Sequence, residues 1–319
     1  MRILNIVLRR LSSLILTVLI ASVVIFVLMR LVPGDPAAAL VSQEGASPQR
    51  LREIHEALGL NDPIPVQYVQ WLEGALHGDL ETSFTGREPV TEIVLRTLPK
   101  TIHIVLGGLL FAVLIGVPLG IAAAIRANTR TDASVRVFAT LGLAIPHFWM
   151  GLLLVGVFAL TLGWFPATGF VGITENFGDS LRHLVLPSLA VGLTSMAEVT
   201  RQTRSAMMEV LSADFIRTLR AAGLRERIII WKHALKNSSI PLVTIVGLDV
   251  NRAISGAIVI EAVFGIQGIG NAIAQATLQR DFPIIQGAML TAVLLVVVVN
   301  LFLDLVYLWL DPRTRQVAI

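Results

Sequence analysis

The sequence predicts an all-α membrane protein with six transmembrane helices and both termini on the cytoplasmic side. Three observations carry this expectation. The 319 residues are 55% hydrophobic and only 15% charged, the apolar residues gather in six runs of near-bilayer length, and the charge between those runs alternates in sign from loop to loop. A mean hydropathy of +0.76 lies far from the balance of a soluble domain. A net charge of +3 and a pI near 9.8 would suit nucleic acid, but the basic residues sit between apolar spans, where positive-inside topology accounts for them. Membrane lipid is therefore an expected partner and nucleic acid is not. Without cysteine there is neither a disulfide framework nor thiolate chemistry.

The first run, residues 11–31, follows Arg2, Arg9 and Arg10 and so imitates a secretory leader. At about twenty residues it is longer than the apolar core of such a leader, and the small-residue stretch Ala37-Ala38-Ala39 lies beyond Pro33 and Pro36. A retained helix with its N-terminus inside is expected. Further spans are expected near residues 101–125, 137–162, 184–200, 240–260 and 284–310, the fourth being short for a crossing. Between Arg30 and Lys100 stand about six basic and ten acidic residues, whereas Arg201 to Lys236 has about eight basic and three acidic. Arg126, Arg130 and Arg136 dominate the loop after the second span, and Arg313 and Arg315 follow the last. The signs alternate as six spans require, with residues 165–180 and 261–281 outside.

The chain is accordingly read as one transmembrane domain over residues 1–319, with an external segment at about 32–98 and a cytoplasmic loop at about 201–238. In the external segment, Ser47-Pro48 can open a helix that presents Leu51, Ile54 and Leu58 on one face before Gly59, and a second helix is expected over 66–76. This segment either meets a partner or packs over the outer helix ends, and both readings stand.

Catalytic chemistry finds no home here. The chain has no G-x-x-x-x-G-K-[ST] phosphate loop, no H-E-x-x-H and no cluster of metal ligands at recognisable spacing. Gly268-Ile269-Gly270 follows a membrane helix rather than a strand and reads as a turn. His103, His147 and His183 lie near span ends and read as hydrogen-bonded structural residues. Ser195 and Ser255 could suggest an intramembrane hydrolase, yet no histidine stands in the last three spans to activate either. Gly116 and Gly120, at G-x-x-x-G spacing, read as helix contacts.

Asp249 and Arg252 stand near the centre of the fifth span, where each ionised group costs about 2.5–3.5 kcal/mol. Three residues apart they share a helix face, so either they form a structural ion pair or they line a polar translocation path. Glu198 can reach the interface or pair with Arg201 or Gln202. Pro146 should kink the third span, and Trp164 and Phe165 suit an interfacial belt.

The most informative stretch is the charged loop between spans four and five. Ser212 can cap a short helix, Asp214 suits its first turn, Phe215, Ile216, Leu219 and Ala222 recur at helical spacing, and Gly223 can stop it. Arg217 and Arg220 lie on its other side, and Arg225, Arg227, Lys232 and Lys236 keep the segment basic and inside. It reads as a docking surface held at a membrane face.

Over nearly its full length the chain resembles the permease subunits of bacterial ABC importers, in the dipeptide, oligopeptide and nickel branch. The residues that carry the likeness are Pro33-Gly34-Asp35-Pro36, Gly78-Asp79-Leu80, Ile145-Pro146 with Phe148-Trp149, and the turn from Gly163 to Gly169. Glu261, Phe264, Gly268 to Gly270, Asp281-Phe282-Pro283, Gln286-Gly287, Asp304, Tyr307 and Asp311-Pro312-Arg313 continue it. The loop departs from the general importer pattern, with Arg217-Thr218-Leu219 where E-A-A stands and His233-Ala234-Leu235-Lys236 at its end. In the peptide branch itself, Ala and Lys usually stand where this chain has Leu219 and Ala222.

The resemblance implies a type I importer permease fold, and it implies that Asp214, Phe215, Ile216, Arg217, Thr218, Leu219, Arg220, Ala221, Ala222 and Gly223 form the helix that couples to an ATPase. It implies as partners a related second permease, two ATPase subunits and an external substrate-binding protein, with ATP and magnesium on the ATPases and no cofactor in this chain. Di- or oligopeptides are the expected cargo; nickel chelates, glutathione and other small solutes are the alternatives. The rival class is an autonomous channel or intramembrane enzyme, which would act alone.

Overall fold

The structure, a computed structural model, describes residues 2–31, 48–57 and 59–310. Pro33 to Pro36, Ala37 to Ala39, Ser47, Leu58 and Asp311 to Arg315, used above, lie outside the described residues. The described elements are helical: α1 Arg2–Leu31, α2 Pro48–Ala57, α3 Ile64–Leu76, α4 Val90–Ile125, α5 Arg130–Ala144, α6 His147–Leu154, α7 Phe177–Ser212, α8 Asp214–Ala221, α9 Ser239–Val263, α10 Ile269–Gln279 and α11 Phe282–Leu310. Among the described residues five helices are long and apolar enough to cross a membrane, and the bent pair α5 and α6 makes a sixth if it is one span.

The residues divide into two compact units, one of residues 1–101 and 267–298, the other of residues 102–266 and 299–319. In the first unit, α1 and α3 meet through rings. Phe26 lies 5.5 Å from Tyr68 edge-on and 5.8 Å from Trp71, Leu290 of α11 closes the cluster, and the Ser22 hydroxyl is 2.9 Å from that of Tyr68. Aromatic pairs at this spacing add to their burial. A second cluster joins Val90 and Val94 to Ile269 and Ala288.

Between these clusters Asp281, fully buried, accepts bonds from the Ser83 hydroxyl at 2.6 Å, the Thr85 amide at 2.9 Å and the Thr85 hydroxyl at 2.7 Å. One carboxylate thus fixes the loop before α4 to the turn before α11. Asp281→Ala strands these donors, at a cost of about 1–3 kcal/mol. We expect a lower unfolding midpoint in detergent and faster tryptic cleavage in the 82–89 loop; an unchanged midpoint would show the node to be dispensable.

The second unit is organised by α7, which packs on α5, α6 and α9. It also meets α4 along a line of small residues. Gly108 faces Gly192, Gly116 faces Met196 and Val199, and Gly120 faces Thr200 and Thr203, so close that an added Cβ on any of them would lie within 3.1 Å of its neighbour. The G-x-x-x-G spacing does mark a helix contact. α7 is far longer than the expected span at 184–200, and its most apolar window is 67% buried. Its apolar signal is diluted because Ser188, Ser195, Thr200 and Thr203 are buried against protein rather than lipid.

Two expectations on backbone shape are corrected. Pro146 does more than kink a helix: Ile145 and Pro146 are both extended, and the helices on either side differ in direction by 105°. Proline denies its predecessor the helical region, which ends α5 one residue earlier. Gly268 is not part of a turn with Gly270; it precedes the first residue of α10, whose Ile269 amide donates to the Thr101 hydroxyl at 2.9 Å. π-helical turns at Val155–Thr161 and Ile229–Ala234 were not legible from apolar spacing.

Candidate functional site

The basic loop folds as α8 followed by a helical segment over residues 226–237. Ser212 is not its cap, because that residue closes α7 and its hydroxyl donates to the Glu209 carbonyl at 2.7 Å. Extended Ala213 breaks the chain between the helices, and no side chain caps α8. The C-terminal stop is as the sequence suggests. Gly223 has φ +77, the Leu224 amide donates to Leu219 O at 3.2 Å and the Gly223 amide to Arg220 O at 3.0 Å, a Schellman closure.

The four apolar residues of this helix do not share one fate. Ile216 is fully buried among Ile121 and Ala124 of α4, Met207 of α7, and Ile229 and Ala234, with Leu219 partly packed beside it. Phe215, by contrast, is 42% exposed, and Thr218 and Ala222 continue its outward stripe. The helix is pinned to its own unit by one face and presents a small apolar face outward. Arg217 reaches Asp214 at 3.3 Å, and Arg220 donates to Glu226 at 2.7 and 3.4 Å. The Glu226 hydrogen bond raises the Arg220 pKa above its ordinary value.

Asp249 and Arg252 of α9 pair at 3.2 Å, with the Asp249 side chain 3% exposed and that of Arg252 63% exposed. Glu198 and Arg201 pair at 2.6 Å on α7. Asn251 donates to Asn300 at 3.3 Å. Sequence reasoning missed the tightest pair in the unit: fully buried Asp132 of α5 accepts two bonds from Arg204 of α7, at 2.5 and 2.8 Å, and one from the Asn128 amide at 3.0 Å. Asp132 and Arg204 are 72 residues apart, and each alone looks like a loop charge. His147 lies 3.3 Å from the Ala190 carbonyl and His183 2.8 Å from that of Asp179, as structural histidines do.

Residues 116–316 match the family described as binding-protein-dependent transport system inner membrane component, and residues 3–105 match its N-terminal companion. The chain belongs to this family. It is therefore a permease subunit of an ABC importer and an inner membrane component. It is not an enzyme, the ATPase being a separate subunit. It is 37% identical to a dipeptide transport system permease of Alkalihalophilus pseudofirmus, over 96% of this chain and 98% of the relative. It is 38% identical to an oligopeptide transport system permease of Bacillus subtilis, over 90% and 92%. A glutathione transport system permease of Salmonella paratyphi A is 37% identical over 98% and 99%. The fold is similar to that of the inward-facing MetNI methionine ABC transporter, with a TM-score of 0.57 at 16% identity, covering 69% of this chain and 96% of the solved one.

Proposed function

We propose that the chain is the transmembrane subunit of an importer of di- or oligopeptides, forming half of the path and coupling it to ATPases through α8. The observation that carries this reading is the division of labour on α8. Ile216 anchors the helix to α4 and α7, while Phe215, Thr218 and Ala222 face outward with nothing of this chain over them among the described residues. A short helix so mounted transmits a push from a partner into the helices that hold it. The names of the dipeptide and oligopeptide relatives support the cargo, and the glutathione relative keeps glutathione as the alternative.

In this reading the partners are a related second permease, two ATPases that bind ATP and magnesium, and an external binding protein. Both termini and the 201–238 loop are cytoplasmic, and residues 32–98 are external. ATP-driven approach of the ATPases moves α8, and the spans swing to open the path to the binding protein.

The test separates the two faces of α8. Phe215→Asp should leave abundance and membrane insertion near normal yet lower uptake in reconstituted vesicles by about tenfold or more, as loss of a buried aromatic anchor does. Ile216→Asp should instead reduce the amount of folded protein, because the carboxylate enters a closed apolar cluster. Wild-type uptake by the Phe215→Asp complex would remove α8 from the coupling role.

A further inference from the structure

We propose that Arg252, oriented by Asp249, receives the C-terminal carboxylate of a peptide part-way across the membrane. This rests on the peptide reading above and adds the point of contact. Along α9 the exposed positions Thr244, Leu248, Arg252, Ser255 and Val259 recur at intervals of four and three, a single stripe running the length of the helix. Ile240 and Ile258 are exposed at its margin, while Val250, Ala253, Ile254, Ala257 and Ile260 are buried. A stripe against lipid does not carry a guanidinium near its middle, and Arg252 is 63% exposed there. The stripe therefore faces a polar space.

The pair is built to remain open. Asp249 is buried and takes Nη1 at 3.2 Å, while its second oxygen, Oδ2, accepts no bond among the described residues. Two ion pairs on neighbouring helices of this unit are closed more tightly, Glu198 with Arg201 at 2.6 Å and Asp132 with Arg204 through two bonds. Arg252 thus has its charge offset and its fork held from one side by a single contact, with further donors left for a second carboxylate in the bidentate manner. Ser255, one turn further along the stripe, is exposed beside it, its hydroxyl donating to the Asn251 carbonyl at 3.3 Å.

The chemistry selects the ligand. Side chains vary from peptide to peptide, and a path that passes them all can rely only on the constant groups, of which the terminal carboxylate is the one that a guanidinium matches in charge and shape.

The test uses the whole importer, reconstituted with its second permease, ATPases and binding protein, and compares uptake of trialanine with that of trialanine amide. Both are supplied at saturation on loaded binding protein, so the rate reports passage rather than capture. The wild type should move the free acid about tenfold faster than the amide. Arg252→Gln should bring the free-acid rate down to that of the amide, and Arg252→Lys should keep part of the preference because it retains the charge without the fork. Equal wild-type rates for the two forms would overturn the proposal. So would a fall of both rates by one common factor in Arg252→Gln, or loss of the second permease from the purified complex, since either outcome assigns Arg252 to an interface. A wild type that moves neither form while importing another solute would defeat the peptide reading itself.

Discussion

Gly192→Leu is expected to abolish accumulation of the folded permease. A Cβ at Gly192 would stand 2.4 Å from the Gly108 carbonyl oxygen and within 3.0 Å of two further backbone atoms of Gly108. Side chains can turn aside from such a contact, whereas two helix backbones cannot unless the helices separate. Separation would undo the neighbouring contacts at Gly116 and Gly120, where the nearest atoms are again those of α7. Overpacking of an ordinary core costs about 1–3 kcal/mol, and a clash between two backbones stands at or above the upper end of that range. Gly156→Ala is the control, because nothing lies within 4 Å of the position its Cβ would take. The readout is the monodisperse fraction of the detergent-extracted protein, together with its unfolding midpoint. A Gly192→Leu protein with the midpoint of Gly156→Ala would mean that α4 and α7 do not approach as described.

The same contact shows how far the sequence could be read. Gly116 and Gly120 are visible as a small-residue pair at the right interval, but which helix they meet is not, since every helix in the chain offers small residues. Hydropathy places four spans close to the observed helices, takes the bent pair α5 and α6 for one and understates α7, because its serines and threonines are buried against protein and look like loop residues in a linear count. Pro146 announced a disturbance of the third span, while the 105° change of direction follows from two successive extended residues that no periodicity encodes. At the coupling loop, Gly223 was readable because a left-handed stop requires a glycine. The opposite fates of Phe215 and Ile216 were not, because adjacent residues on a helix differ by about 100° and only the packing of α4 and α7 decides which of them is inside.

Asp132 and Arg204 are the pair that such reading cannot reach, and breaking it gives the second large effect. Asp132→Ala should destabilise the protein by about 3–5 kcal/mol, because it leaves a mostly covered guanidinium without its two bonds and the Asn128 amide without its acceptor. Arg136, 3.6 Å from the same carboxylate, is more than half exposed and cannot take its place. The pair ties the first turn of α5 to α7, and only the extended residue Ala213 separates α7 from α8, so a structural tie and a coupling element make different predictions. If the tie is only structural, joint replacement by Asp132→Leu and Arg204→Met should recover the unfolding midpoint, as apolar substitutes of buried pairs commonly do, and uptake should recover with it. If the tie also transmits the movement of α8, the double variant should regain stability while uptake per ATP hydrolysed stays low, because α5 and α7 then share an apolar contact that can slide where two directed hydrogen bonds could not. Measuring the midpoint and the uptake-to-hydrolysis ratio on the same preparation separates the two. An Asp132→Ala protein as stable as the wild type would overturn both, since a buried ion pair with three charge-assisted bonds cannot be removed on one side without consequence.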